Sequence, residues 1–165
     1  MSLIKKLKAR AADNRPVRVS IIGAGKFGSM YLSQVPRTPG IHLVAVVDLS
    51  PSRAKESLTR VGWEESRFSA SSLQDAAKSG ATFVTDDAEK MISSDYIDIV
   101  IDSTGSPAAG IRHALLCIEH RKHIIMVNVE ADVLAGPLLA RKAAEAGVIY
   151  SMASGDQPAL IAELV

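Results

Sequence analysis

Cysteine is almost absent from this 165-residue sequence, since Cys117 is the single example. One cysteine cannot form an internal disulfide, which predicts a reducing compartment, the cytoplasm. Long apolar runs are also missing: the longest has five residues, at 43–47 and at 114–118, whereas a membrane span needs about 18. The net charge of +1 gives no overall attraction to nucleic acid. We therefore predict a soluble domain with neither membranes nor nucleic acids as partners.

Positive charge is concentrated at the start of the chain. Residues 1–18 carry six Lys or Arg and one Asp, a net charge of +5, so the remainder carries −4. Leu3, Ile4 and Leu7 have the spacing of one helical face, which predicts an amphipathic basic helix within residues 1–15. The alternatives are a transit peptide or a membrane-surface anchor. We favour a helix that packs its three apolar residues on the neighbouring domain.

From Val17 onward, short apolar runs alternate with helical patterns. The runs predict six strands, at 17–22, 41–48, 82–84, 97–102, 123–128 and 148–152. Strands that are apolar along nearly their whole length are buried on both faces, as in a parallel sheet covered by helices. We therefore predict an α/β fold over residues 16–154, with a doubly wound parallel sheet (a Rossmann fold) in the order 3-2-1-4-5-6.

Capping residues and prolines predict where the later helices begin. Asp86 is the predicted N-cap of a helix that runs through Ile92. Pro137 is the predicted first-turn proline of the last helix, over residues 137–146.

The loop after the first strand has the spacing G-x-G-x-x-G, formed by Gly23, Gly25 and Gly28. It leaves a buried strand and opens a helix within a βαβ unit, which is the context in which this motif binds a dinucleotide. Gly23 permits the tight turn, Gly25 lets a pyrophosphate approach the backbone, and Gly28 lets the helix pack on the strand. Free amides at Lys26, Phe27 and Gly28 favour an anion, as does the helix dipole. We favour this interpretation over an unliganded turn.

The second strand ends in Asp48, 20 residues beyond Gly28. A carboxylate at this place accepts hydrogen bonds from both ribose hydroxyls of an adenosine, and it repels a 2′-phosphate. Arg53 is either a partner for such a phosphate or for adenine, or an ordinary solvated helix cation. The sequence therefore predicts NAD or NADP as the cofactor without separating the two.

The loop after the fourth strand is small and rich in hydroxyl groups. Ser103, Thr104 and Gly105 let the chain pass close to the middle of a cofactor and to its nicotinamide ribose. Ser106 precedes Pro107 and is also a predicted N-cap. The ligand contact and the N-cap are the two interpretations of this loop, and they are compatible.

Polar residues also follow the fifth strand. Asn128 lies where a nicotinamide is expected, and Glu130 and Asp132 are either near that ring or caps of the next helix. His120 and His123 flank a helix-to-strand loop at the opposite edge of the sheet and do not share a helix face. We therefore predict no metal site.

Four segments carry a family resemblance: RPVRVSIIGAGKFGSMYL, ATFVTDDAE, GIRHALLCIEHRKHIIMVNVEADVLAGPLLARKAAEAGVIYS and GDQP. They resemble the homoserine dehydrogenase-like oxidoreductases, a group that includes deoxyxylulose-phosphate reductoisomerase-like enzymes and members with a C-terminal SAF domain. The resemblance implies an NAD(P)-binding domain whose cofactor positions are Gly23, Gly25, Gly28, Asp48, Thr104, Gly105 and Asn128.

Chains of that group continue into a catalytic domain that holds the substrate. We expect residues 155–165 to be the start of such a region, cut at Val165, and the apolar residues Ile161, Leu164 and Val165 to favour self-association into a homo-oligomer. The predicted function is the NAD(P)-binding part of an oxidoreductase that transfers hydride between a nicotinamide and a small oxygenated metabolite. The alternative is a stand-alone dinucleotide-binding redox sensor; a purely structural protein would leave the glycine loop without a role. The sequence identifies neither substrate nor catalytic residues.

Overall fold

The computed structural model describes residues 2–153, in which helices and strands alternate. The helices are α1 (Leu3–Ala12), α2 (Lys26–Gln34), α3 (Pro51–Arg60), α4 (Leu73–Ser79), α5 (Ala88–Ile92), α6 (Pro107–Glu119) and α7 (Val129–Glu145). The strands are β1 (Val17–Ile22), β2 (Ile41–Val47), β3 (Phe83–Thr85), β4 (Ile99–Asp102), β5 (His123–Met126) and β6 (Tyr150–Met152). The predicted residues 155–165 lie outside this range.

The strands form one parallel sheet in the order β3-β2-β1-β4-β5-β6. The predicted Rossmann-like α/β fold and the strand order are both confirmed. The order reverses between β1 and β4, so the loops that follow these two strands diverge to opposite faces of the sheet. Ligands of doubly wound folds bind in the crevice that this divergence opens at the carboxyl ends of the strands.

Buried apolar side chains cover both faces of the sheet. Val47 of β2 belongs to a cluster beneath α4, α5, α6 and α7, and the preceding residue, Val46, belongs to a cluster beneath α2 and α3. Alternate residues of a strand point to opposite faces, so a strand that is covered on both sides needs apolar residues throughout. This two-sided burial explains the near-continuous apolar runs.

The helix after β5 begins earlier than predicted. α7 starts at Val129 because Asn128 caps it: the Asn128 Oδ1 accepts a hydrogen bond from the amide of Ala131 at 3.1 Å. Pro137 lies inside this helix, so the prediction that it occupies the first turn is wrong. An N-cap satisfies a free amide and sets the start of a helix, and here it outweighs the cost of an interior proline.

The cap of α5 also differs from the prediction. Asp87, not Asp86, accepts a hydrogen bond from the amide of Lys90, at 2.9 Å to its Oδ1. β3 runs to Thr85, one residue beyond the predicted end, and the turn that follows is shifted by the same step.

The N-terminal helix α1 is present, but the predicted packing of its apolar face is wrong for Leu3 and Ile4, whereas Leu7 is half-buried. None of its described side chains is buried, and Leu3 and Ile4 are 72% and 45% exposed. The helix meets the domain through its backbone: the carbonyl group of Leu7 lies against Gly40, where an added Cβ would overlap it. The close contact is made at Leu7. Leu3 and Ile4, one turn earlier in the helix, therefore extend into solvent. No helix within residues 2–153 has the length and apolarity needed to cross a membrane.

An ion pair joins β1 to the segment before β4. The backbone amide and Nε of Arg18 donate to Asp98 Oδ2 at 3.0 and 3.1 Å, and Arg18 Nη2 contacts Asp98 Oδ1. Partial burial acts to raise the pKa of Asp98, but the hydrogen bonds and charge of Arg18 together outweigh it and hold that pKa below its usual value. The ionised carboxylate is therefore the form that the fold stabilises.

We expect Asp98→Asn to lower the free energy of unfolding by about 1 kcal/mol at neutral pH, allowing for solvent screening of a pair that is one-third exposed. Because the folded-state pKa of Asp98 is depressed, this stabilisation is present above its ordinary pKa and is lost as the pH falls through the folded-state value. Urea unfolding over an acidic pH series measures both effects. Asp95→Asn is the matched control, since Arg18 contacts only the backbone carbonyl of Asp95. A stability difference that persists unchanged into acid would contradict this account.

Candidate functional site

The turn between β1 and α2 is packed tightly at two of its three glycines. Gly23 has φ +99°, and a Cβ on it would lie 2.8 Å from the carbonyl oxygen of Ser103. A Cβ on Gly28 would overlap the carbonyl oxygen of Gly23. These two glycines are therefore required by the fold itself, because neighbouring backbone occupies the space of a side chain.

Gly25 has a different environment. No atom of residues 2–153, apart from its own chain neighbours, lies within 4 Å of the place its Cβ would take. Gly25 is also the N-cap of α2 and provides no side-chain cap, so the first amides of the helix, at Lys26, Phe27 and Gly28, have no helical partner. The open space thus faces free N–H groups at the positive end of a helix dipole, which is the arrangement that binds phosphate.

Asp48 joins the glycine turn to the loop that follows β2. Its Oδ2 accepts a hydrogen bond from the amide of Ala24 at 2.9 Å, and its Oδ1 accepts one from the amide of Ser50 at 3.0 Å. Each carboxylate oxygen has a second lone pair, so both oxygens keep the capacity to accept hydroxyl groups of a ligand. The side chain is half-buried, beside the glycine turn, as the sequence predicts.

A cavity of about 650 Å³ opens at Leu49, the residue after Asp48, and is lined on its other side by α5 and α6. Leu49, which is 98% exposed, borders it together with Ala108, Ala109 and Leu116. Arg112 and His113 supply polar groups along the α6 wall, and Asp86, Asp87 and Glu89 line the wall at the start of α5. Arg53 is exposed on α3 and does not line this cavity.

The loop after β4 is hydrogen-bonded to the glycine turn. The amide of Ser103 donates to the carbonyl of Ile22 at 2.8 Å, and Ser103 Oγ donates to the carbonyl of Gly23 at 2.8 Å. Ser106 caps α6, as predicted, by accepting from the amide of Ala109 at 3.4 Å. The structure therefore gives Ser103 a structural contact, whereas Gly105 has open space around its missing side chain.

The sequence patterns did not single out His113, but the structure brings it to the end of β4. His113 Nδ1 lies 2.6 Å from Oδ2 of Asp102, a carboxylate that is fully buried. Gly110, Ala114 and Cys117 are the buried residues of α6, and His113 falls among them at helical spacing. A histidine on the buried stripe of a helix was therefore the available signal, because a polar group there needs a partner.

Thr104 and Asn128 meet at the same edge. Asn128 Nδ2 donates to Thr104 Oγ1 at 3.2 Å and to the carbonyl of Ser106 at 2.8 Å. The predicted neighbours of these two residues behave differently: Glu130 is exposed, and Asp132 accepts a hydrogen bond from the hydroxyl of Tyr150 at 2.7 Å. The pKa of Tyr150 is raised, mainly by burial and to a smaller extent by the hydrogen bond to Asp132. Neither acidic residue caps α7, since Asn128 does.

One of the two histidines at the other edge of the sheet, His123, has a structural partner. His123 Nδ1 accepts a hydrogen bond from the amide of Ile149 at 3.0 Å. In the part of the chain that the structure describes, no three His, Cys, Asp or Glu side chains are grouped so as to hold a metal ion.

The fold and this site define a dinucleotide-binding domain of the Rossmann class. The family model described as "Oxidoreductase family, NAD-binding Rossmann fold" (GFO/IDH/MocA) matches residues 17–128. The match covers more than half of the chain, and the protein belongs to this family of NAD-binding oxidoreductases. Its cofactor is accordingly NAD or NADP.

Solved structures share the fold at low sequence identity. A homoserine dehydrogenase from Thiobacillus denitrificans has a TM-score of 0.64 and 18% identity, over 83% of this chain and 29% of that chain. A scyllo-inositol dehydrogenase from Lactobacillus casei, solved with NAD(H) and scyllo-inositol, has a TM-score of 0.62 and 14% identity, over 83% and 36%. A biliverdin reductase from Synechocystis sp. PCC 6803, solved with biliverdin and NADP+, has a TM-score of 0.61 and 18% identity, over 83% and 37%. This chain spans about a third of the length of the structures it matches.

We expect Gly25→Val to abolish dinucleotide binding and to leave the fold intact. The added side chain would enter space that the protein leaves open, so it costs little in stability but blocks the approach of a pyrophosphate to the α2 amides. Calorimetric titration with NADH and a thermal unfolding curve measure the two effects.

Gly28→Val is the contrasting variant, since its side chain would overlap the Gly23 carbonyl and should lower the unfolding midpoint. A folded Gly25→Val protein with wild-type affinity for NADH would refute the assignment of this turn.

Proposed function

We propose that this chain is the cofactor-binding part of an NAD(P)-dependent dehydrogenase that acts on a small oxygenated metabolite. The observation that carries the proposal is the open space at Gly25, bordered by free helix amides, next to two glycines that have no room for a side chain. A fold needs Gly23 and Gly28 for its own packing, but it gains nothing from the missing side chain at Gly25. A ligand phosphate accounts for that position.

The site residues divide between the parts of the cofactor. Gly23, Gly25 and Gly28, with the amides of Lys26 and Phe27, would hold the pyrophosphate. Asp48 would accept the adenosine ribose hydroxyls. In the cavity beside Leu49, the side chains of Leu49, Ala108 and Leu116 would pack against the faces of an adenine ring, and polar side chains border its edge. The loop residues Ser103, Thr104, Gly105 and Asn128 would lie along the nicotinamide ribose.

When bound, the nicotinamide supplies the hydride donor or acceptor. The described residues position that cofactor, whereas a substrate pocket and a proton donor would come from a second domain, such as one that begins at 155–165. The resemblance of the N-V-E-A-D segment at 128–132 supports a homoserine dehydrogenase-like enzyme of the SAF-associated group. The buried Cys117 supports a reducing compartment, and we propose the cytoplasm.

The alternative is a dinucleotide sensor without catalysis. A sensor binds cofactor and transmits its redox state to a partner, so it would bind NADH and NAD with different effects on association. Titration of both forms, followed by light scattering, separates this function from that of a cofactor-binding enzyme domain, whose association state should not respond to the redox form.

We expect Asp48→Ala to weaken NADH binding more than NADPH binding. A carboxylate bonded to two ribose hydroxyls contributes roughly 1.5–3 kcal/mol, equivalent to about 10- to 150-fold in affinity, and its removal also relieves repulsion of a 2′-phosphate. The Asp48 contacts with Ala24 and Ser50 support both cofactors equally, so the ratio of the two losses isolates the ribose contact. Calorimetry with each cofactor measures it.

Arg53→Ala also tests the preference between NADH and NADPH, because Arg53 is the candidate partner for a 2′-phosphate. A larger loss for NADPH than for NADH would make Arg53 a phosphate partner, and no change would make it a solvated cation. Equal losses of both cofactors in Asp48→Ala would show that Asp48 does not bind the ribose.

A further inference from the structure

The carboxylate of Asp102 is buried at the end of β4, with 0% of its surface exposed. A buried carboxylate is costly unless both of its oxygens are hydrogen-bonded. Oδ1 accepts from the amide of Thr104 at 3.1 Å and from Thr104 Oγ1 at 2.7 Å, and Oδ2 accepts from His113 Nδ1 at 2.6 Å. His113 is therefore the only side chain with a nitrogen donor on this carboxylate among the contacts of the described chain.

The hydrogen bonds continue from Thr104 to the start of α7. The hydroxyl of Thr104 donates its proton to Asp102 and accepts a hydrogen bond from Asn128 Nδ2 at 3.2 Å. Asn128 also donates to the carbonyl of Ser106 and caps α7. A carboxylate only accepts hydrogen bonds, so the Thr104 hydroxyl donates its proton to Asp102. The Thr104 oxygen is then the acceptor for the amide of Asn128. His113 and Thr104 bond the two oxygens of one carboxylate. Loss of the His113 hydrogen bond would therefore free that carboxylate to rotate and would shift Thr104.

The glycine turn has a separate anchor. Ser103 bonds to Ile22 and Gly23, and Asp48 bonds to Ala24, so neither contact passes through Asp102. The part of the loop from Thr104 to Ser106 depends on the Asp102 and Asn128 hydrogen bonds instead. The two halves of the cofactor site are thus held by different contacts.

We propose that His113 is a positioning residue for the nicotinamide half of the cofactor. It does so by fixing the Asp102 carboxylate, which holds Thr104 and, through it, Asn128. The inference rests on the proposed function, since it takes Thr104 and Asn128 as the residues beside the nicotinamide ribose. It names a role for a side chain of α6 that is not part of the glycine motif.

The test compares His113→Leu with His113→Asn, two side chains of nearly equal size. Asn places an amide group where His113 Nδ1 lies and can donate to Asp102, whereas Leu cannot. We expect the Leu variant to bind NADH about tenfold more weakly than the Asn variant, the usual size of a lost charged hydrogen bond. ADP, which lacks the nicotinamide half, should bind both variants within about twofold of each other, because any direct contact with the adenine-side cavity is matched in size.

Thr104→Val breaks the next hydrogen bond without touching His113, and it should reproduce the selective loss of NADH. His120→Asn, an exposed histidine at the end of the same helix, should change neither ligand. Equal NADH affinities for the Leu and Asn variants would overturn the proposal, as would a parallel loss of NADH and ADP, which is the mark of a merely structural role.

If His113→Leu does not fold, Thr104→Val and His113→Asn decide the matter. Weaker NADH binding in the first and retained binding in the second support the proposal, and either opposite result overturns it. Absence of NADH binding by the unmodified chain would instead refute the proposed function, so the two failures are distinguishable.

Discussion

The close approach of the first turn to the end of β4 is the constraint on which the rest of the site depends. Gly23 and Gly28 have no room for a side chain because the backbone of Ser103 and of the turn itself fills that space. This packing brings the start of α2 against the crevice between β1 and β4. The free amides of α2 therefore point into the place where the strand order reverses, and a phosphate there meets a helix dipole instead of a solvated loop.

The two carboxylates at this edge of the sheet, those of Asp48 and Asp102, differ in burial and in their hydrogen-bond partners. Asp48 is half-buried, with free lone pairs on both oxygens, and it is available to a ligand. Asp102 is fully buried, and its partners within the protein are His113 and Thr104. The two carboxylates stand at the ends of β2 and β4, the strands on either side of β1. They have different roles, because burial decides whether a carboxylate is satisfied by the protein or by what the protein binds.

The chain belongs to an NAD-binding oxidoreductase family. It spans about one third of the length of the structures it matches. The proposed cofactor site is formed by residues of the described part of the chain, and in the proposed function the substrate contacts a second domain. The shared fold is compatible with very different substrates, as the inositol and biliverdin complexes illustrate, so specificity has to be read from a site and not from the sheet.

Local patterns were enough to predict the strands and their order, because a parallel sheet covered on both faces requires continuous apolar runs. They also predicted the glycine turn, because position 23 has a positive φ that favours glycine. Tertiary structure alone decided three points. Asn128 and not Pro137 sets the start of α7, because its cap bond to Ala131 outweighs a proline signal. α1 meets the domain through the backbone at Gly40, which no side-chain pattern reveals. His113 reaches Asp102 across eleven residues of sequence, since only the folded sheet brings a helix face to the end of β4.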